Sequence, residues 1–222
     1  MYRNYLKRLL DVICSLLGLI ILSPLLLVVI VVMSFANKGA GVFFSQARPG
    51  RGERLFNMYK FKSMTDERDA AGNLLPDVKR LTAMGRFIRK TSIDELPQLW
   101  NVLRGDMSLV GPRPFLATYR QIPTEHRKVE IISVSIEGNA IEITPAQRVR
   151  YEVRPGITGL SQINGRNKLS YQHRFKYDAW YVRHLSLALD LKILFKTVGL
   201  TLRMKDVSSA TGETSEIFTG EN

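Results

Sequence analysis

The chain has 222 residues, 45% of them apolar, with one cysteine and 32 Lys and Arg against 20 Asp and Glu, a formal charge of +12 at pH 7. That length builds one modest core with accessory elements rather than two full domains, and a lone cysteine excludes an internal disulfide and any cysteine-based metal site. The excess of cations calls for an anionic partner: nucleic acid, an acidic lipid surface or a phosphorylated substrate.

Val12 through Met33 carries no charge and, as a helix, matches the hydrocarbon thickness of a bilayer, which places the protein at a membrane. The run is overlong for the apolar part of a signal peptide, and no small-x-small cleavage site follows it. Ser23-Pro24 interrupts its middle, where a missing N–H and a ring clash predict a sharp kink. Arg3, Lys7 and Arg8 precede the run, and Lys38, Arg48, Arg51 and Arg54 follow it, so charge favours neither end as the translocated one. A straight span and a re-entrant hairpin with both ends cytoplasmic both satisfy these residues.

Two short strands, Val42 to Gln46 and Arg54 to Lys62, flank the turn Pro49-Gly50-Arg51-Gly52. Alternation in the second puts Phe56, Met58, Lys60 and Lys62 on one face, so the two lysines are expected to project together, toward solvent or toward an anion. Asp66 through Pro76 reads as a loop. Val78 to Lys90 follows as one basic amphipathic helix, with Leu81, Met84 and Ile88 at helical spacing.

Ser92-Ile93-Asp94-Glu95-Leu96-Pro97-Gln98 is the most informative stretch, because it sets adjacent carboxylates near Arg89, Lys90 and Arg104. Ser92 and Glu95 match a capping box, in which each satisfies the other's backbone donor. Pro97 fits a helix better if Asp94 is its N-cap, since proline is tolerated in the first turn. Asp94 would then lie at the positive end of the helix, a position that favours an ionised carboxylate and attracts phosphate, as a nucleophile requires.

Arg104-Gly105-Asp106 marks the end of that helix. In Gly111-Pro112-Arg113-Pro114 the flanking prolines restrict the backbone around Arg113, either as a plain turn or as a rigid phosphate clamp. Val129 to Ile136 and Ala140 to Ile143, joined by Glu137-Gly138-Asn139, form a predicted hairpin. The glycines of Arg154-Pro155-Gly156-Ile157-Thr158-Gly159 and Ile163-Asn164-Gly165-Arg166-Asn167 permit close backbone approach to a ligand. Tyr171 to Met204 mixes aromatics and lysines with an apolar stripe in the manner of interfacial helices, and disorder is expected from Asp206 onward.

In order along the chain, Ser23-Pro24 in the apolar run, Tyr59-Lys60-Phe61-Lys62-Ser63-Met64, Thr91 through Gln98, Gly105 through Pro114, and Arg154 through Asn167 resemble the small monotopic phosphoglycosyl transferases of bacteria. The resemblance implies an α+β fold: a re-entrant membrane helix over residues 1–37, a cytoplasmic catalytic domain of short strands and interfacial helices over 38–205, and a tail over 206–222. It implies transfer of a sugar-1-phosphate from a UDP-sugar to undecaprenyl phosphate with release of UMP, at the cytoplasmic face of the bacterial inner membrane. Asp94 would be the nucleophile that carries a covalent phosphosugar, and Glu95 would join it in holding Mg2+. Arg113, Lys60 and Arg89 are the expected phosphate contacts, and Asn164 and Arg166 the expected contacts to nucleotide or sugar.

UDP-sugar, undecaprenyl phosphate and anionic membrane lipid are the partners this implies; a homodimer stays open, and no nucleic-acid motif is present. Residues Pro123 to Ile143 form a longer connection than is usual in the family, Leu160 stands where tryptophan is frequent, and Lys62 where arginine is common. A membrane-anchored basic nucleic-acid binder or a scaffold is the alternative that charge alone permits.

Overall fold

A computed structural model describes residues 1–122, 127–136, 139–165 and 169–202. A π-helical turn, Tyr2–Leu6, leads into α1 (Lys7–Ala36), and β1 (Phe43–Pro49) and β2 (Leu55–Phe61) follow. Next come α2 (Asp77–Arg80), α3 (Ala83–Lys90), a 3-10 turn at Ile93–Glu95, α4 (Gln98–Arg104) and β3 (Ser108–Val110). The rest comprises β4 (Leu116–Gln121), β5 (Val129–Ile136), β6 (Asn139–Glu142), α5 (Pro145–Arg148), β7 (Gly156–Thr158), α6 (Leu160–Ile163), α7 (Tyr171–Arg183) and α8 (Leu187–Leu202). The fold is thus mixed helix and strand with an N-terminal apolar helix.

Helix α1 is not broken at Pro24. The carbonyl left without a donor by that proline belongs to Ile20, and the Ser23 hydroxyl donates to it at 2.7 Å. Burial follows one narrow stripe along the helix, from Lys7, Asp11 and Ser15 to Val29 and Met33, and this stripe packs on the globular body. Ile13, Leu16, Leu17, Ile20, Ile21, Leu27, Val28 and Val31 remain exposed.

Both ends of α1 are tied to the same body. Near the start, Lys7 Nζ donates to Asp190 on α8 at 2.6 Å, and Asp11 accepts from Ser108 Oγ and the Leu109 N–H at 3.0 Å each. Near the end, Val29 and Met33 pack with Phe61 and Ile88, and Asn37 just beyond donates to the carbonyls of Gly41 and Lys62.

Strands β1 and β2 pair antiparallel from Phe43 opposite Phe61 to Pro49 opposite Leu55, as the flanking turn residues predict. The helix expected over Val78 to Lys90 is two pieces: Leu81 is extended and bridges to Met64, and Thr82 restarts the helix by accepting from the Gly85 N–H at 2.9 Å. The hairpin of β5 and β6 forms and gains a third strand, β4, with a register shift at Thr118/Tyr119. Its turn residues 137–138 and the segment 123–126 lie outside the described residues, as does the tail from 203.

Helix α8 buries Ile193 and exposes Leu187, Leu191, Phe195 and Val198, an apolar stripe on its outer side. The parallel pair β3 and β7 joins Ser108 to Gly156 and Val110 to Thr158. This corrects the reading of the Arg154 to Gly159 glycines: they admit a close approach of backbone, not of a ligand. A Cβ on Gly156 would stand 2.1 Å from the Gly111 nitrogen. Gly156→Ala is therefore expected to cost at least about 3 kcal/mol and to displace the Arg113 turn, read as a lowered unfolding midpoint in detergent. An unchanged midpoint would contradict this packing.

Candidate active site

Neither sequence reading of the Asp94 segment survives. Ser92 makes no side-chain cap and adopts a left-handed backbone at φ 59°, which starts the 3-10 turn Ile93–Glu95. Asp94 is not the N-cap of α4, because Pro97 occupies that position and the helix begins at Gln98. A two-residue link therefore separates the carboxylates from the helix, and their electrostatics come from side chains rather than a helix dipole.

Those side chains come from three places. Lys60 on β2 donates to Glu95 Oε1 at 2.8 Å, and Arg113, from the turn after β3, donates to the same oxygen at 2.8 Å. Arg89, at the end of α3, donates from Nε to Ser63 Oγ at 2.8 Å, and its charge acts on Asp94. Lys62 does not join them, contrary to the expected alternation, because the strand ends at Phe61; its ammonium pairs with Asp66 and donates to the Ala40 carbonyl.

The two carboxyls are driven apart. Burial, then the charge of Glu95, push Asp94 up to about 6, against the pull of Lys60, Arg89 and Arg113. For Glu95 burial also acts upward, but Arg113 and Lys60 overcome it and hold this carboxyl well below the usual range. Glu95 in turn raises Arg113. The pair thus contains one permanently ionised group, locked by two cations, and one carboxyl that titrates near neutrality.

Three further residues shape the site, and local sequence patterns gave no sign of them. Arg48 on β1 stands opposite Phe56, four pairs along the sheet from Phe44 opposite Lys60, so Arg48 and Lys60 share a face. Its Nη2 donates to Gln46 at 2.6 Å while its buried Nε has no partner among the described residues. Burial and the charge of Arg113 lower it to about 10. Arg48 and Arg113 are thus neighbouring guanidiniums, of which Arg113 is the one paired with Glu95.

Asn101, fully buried on α4, ties that helix to β2: its Oδ1 accepts from the Tyr59 N–H at 3.0 Å and its Nδ2 donates to the Asn57 carbonyl at 2.7 Å. Those bonds hold the residue before Lys60 against the helix that follows Asp94. Asn101→Leu is expected to cost about 2–4 kcal/mol, because it leaves both β2 groups unpaired; denaturant unfolding would measure the loss, and a midpoint equal to wild type would argue against the tie.

Arg150 is the third. It lies buried with Asp178 at 3.0 Å, 4.3 Å over the Phe115 ring, and donates to the Arg113 carbonyl. The Arg113 turn is therefore held by Arg150 and by Gly111 N–H to Thr158 O at 2.8 Å as well as by its prolines.

Asn164 is not brought to the carboxyls by any described contact. Its Nδ2 donates to Leu160 O at the start of α6, and its Oδ1 accepts from Lys196 on α8. Arg166 lies outside the described residues.

Among the described residues no three Asp, Glu, His or Cys side chains converge, and the donors this site could offer a metal are the adjacent Asp94 and Glu95 carboxylates beside the cations. That donor set fits Mg2+, which commonly takes one or two carboxylates and completes its shell with water and substrate phosphates.

The chain is 47% identical to the uncharacterized sugar transferase EpsL of Bacillus subtilis, over 97% of this chain and 96% of that protein. It is 39% identical to the undecaprenyl-phosphate galactose phosphotransferase of Salmonella typhimurium over 90% of this chain, and 40% identical to the UDP-glucose:undecaprenyl-phosphate glucose-1-phosphate transferase of Klebsiella pneumoniae over 86%. It spans only 41% and 39% of those two longer proteins. The bacterial sugar transferase family matches residues 2–204, and with nearly the whole chain covered this protein belongs to that family.

Proposed function

We propose that this protein transfers a sugar-1-phosphate from a UDP-sugar to undecaprenyl phosphate and releases UMP, as a first membrane step of polysaccharide assembly. The names of the Salmonella and Klebsiella relatives support the acceptor and the group transferred. The observation that carries the reading is the split pair: Asp94 raised to about 6 beside a Glu95 clamped by Lys60 and Arg113 at 2.8 Å each.

In this reading an ionised Asp94 oxygen attacks the sugar-proximal phosphorus. The new P–O bond forms as the bond to the UMP oxygen breaks, and UMP leaves with the electron pair. An oxygen of undecaprenyl phosphate then attacks the same phosphorus and returns Asp94 as a free carboxylate. Lys60, Arg89 and Arg113 offset the negative charge that a carboxylate meets at a diphosphate. Asp94 and Glu95 would hold Mg2+, which when bound supplies further neutralisation of the phosphates.

Arg48 adds a second guanidinium beside Arg113, and its unpaired Nε suits a phosphate oxygen. Arg48→Gln should raise the KM for the UDP-sugar about tenfold with a smaller change in kcat. An unaltered KM would remove Arg48 from the donor site.

Membrane attachment follows the same reading. We take α1 as a re-entrant helix with the catalytic domain at the cytoplasmic face of the inner membrane, and the packing of α1 on one body from Lys7 to Met33 supports this, since both helix ends then lie on that body's side. The exposed stripe of α8 suits the same interface.

The direct test incubates detergent-extracted protein with UDP-sugars, Mg2+ and undecaprenyl phosphate and identifies the nucleotide released. UMP is expected; UDP would mean transfer of the sugar without its phosphate and would overturn the proposal.

A further inference from the structure

A second cation-lined crevice opens at the start of α1, where Arg3, Lys7, Arg8 and Asp11 meet Arg51, Glu152 and Arg154. Two of its five cations are neutralised: Arg3 pairs with Glu152 at 2.9 Å, and Lys7 with Asp190 at 2.6 Å. Arg8, Arg51 and Arg154 have no carboxylate partner within 4.0 Å among the described residues, and Asp11 is the single acid left to face them. Arg8 donates to the carbonyls of Val102 and Leu103, and Arg154 donates from Nε to that of Gly105, so both guanidiniums are held in place at the end of α4.

Each still has capacity. The two terminal nitrogens of Arg154 and the Arg51 guanidinium make no hydrogen bond to the described residues. Burial, and then the charges of Arg8 and Arg51, lower Arg154 from its ordinary value, which is the electrostatic mark of a site short of anions. Oriented guanidiniums with free N–H forks match phosphate oxygens.

This crevice is not the Asp94 site. The carboxyls precede the first turn of α4, whereas Arg8 and Arg154 cap its last carbonyls, and seven helical residues separate the two ends by about 10 Å.

The surroundings identify the source of the phosphate. The helix that supplies Arg3 and Arg8 continues at once into exposed Leu9, Ile13, Leu16 and Leu17, and Leu185 closes the crevice beside exposed Trp180 and Leu187. Basic groups thus give way to apolar and aromatic surface within two helical turns, the order met on passing from headgroup to acyl chain.

We infer that the Arg8, Arg51 and Arg154 crevice binds the phosphodiester headgroup of an anionic membrane lipid, separately from the reacting substrates. The inference rests on the proposed bilayer placement of α1, not on the chemistry at Asp94.

The test uses the full chain in lipid nanodiscs of about one part phosphatidylglycerol to four parts phosphatidylcholine, followed by detergent extraction and mass measurement of the lipids retained. Wild type should retain phosphatidylglycerol at least about fivefold over its share of the mixture, and Arg51→Glu, whose parent side chain is exposed and unpaired, should bring retention back to that share. Lys79→Gln removes a positive charge from an exposed position elsewhere and should leave retention unchanged. No enrichment in wild type, undiminished enrichment in Arg51→Glu, or equal loss in Lys79→Gln would overturn the site. So would millimolar inorganic phosphate displacing the lipid, since that would assign the crevice to free phosphate. UMP release by Arg51→Glu in micelles should stay at the wild-type rate; absence of release from wild type itself would defeat the proposed reaction and leave the lipid result standing.

Discussion

Asp94→Asn is expected to lower lipid-linked product formation by about four orders of magnitude or more while the protein still folds and partitions to membranes. An amide preserves the shape of the side chain and removes the oxygen nucleophile. The same substitution should raise the unfolding midpoint near neutral pH. The sign follows from the raised pKa: between its ordinary value of 3.8 and about 6, native Asp94 binds a proton that the unfolded chain releases, so this group contributes less stability as pH rises through that window. Above it the buried carboxylate is held ionised at a cost that asparagine does not incur. Substantial residual turnover in Asp94→Asn would refute the nucleophile, whatever the midpoint did.

The second large effect concerns Glu95. If attack requires ionised Asp94, the metal-free site titrates at about 6, and the rate should fall about tenfold per pH unit below that value. Glu95→Gln removes the like charge and leaves Lys60 and Arg113 sharing a neutral amide oxygen in place of a carboxylate, so Asp94 faces two uncompensated cations. The acid limb should move down by about one unit; burial, the larger cause of the raised value, remains and limits the shift. The rate at the plateau should drop about 10²- to 10³-fold, because a lower pKa weakens the nucleophile and the cations lose their alignment. A pH profile that stays in place with the same loss would mean that Glu95 acts on alignment alone, and that burial sets the Asp94 titration unaided.

Much of this was readable in the chain itself. The apolar run, the β1–β2 turn, the stop at Gly105 and the β5–β6 hairpin depend on residues close together, and each appears in the structure. The adjacency of Asp94 and Glu95 is likewise a property of the sequence, as is the resemblance that made it informative. Local patterns misled where the chain took another path, in two of three cases because a distant partner competed for the same groups. Leu81 left its helix to pair with Met64, Ser92 gave up a cap for a left-handed turn, and the glycines of 156–159 met the Gly111 backbone instead of a ligand.

What sequence alone determined is the supply of chemistry: two neighbouring carboxyls, an excess of arginine and lysine, and a helix too apolar for water. Which cations reach which carboxyl was decided only by tertiary packing. Lys60 arrives from a strand, Arg89 from a helix end, Arg113 from a turn held by Arg150, and Asn101 keeps strand and helix in step. The reason is electrostatic: charge acts over ångströms in space while sequence records only order along the chain, and Glu95 meets Arg113 across 18 positions and Lys60 across 35.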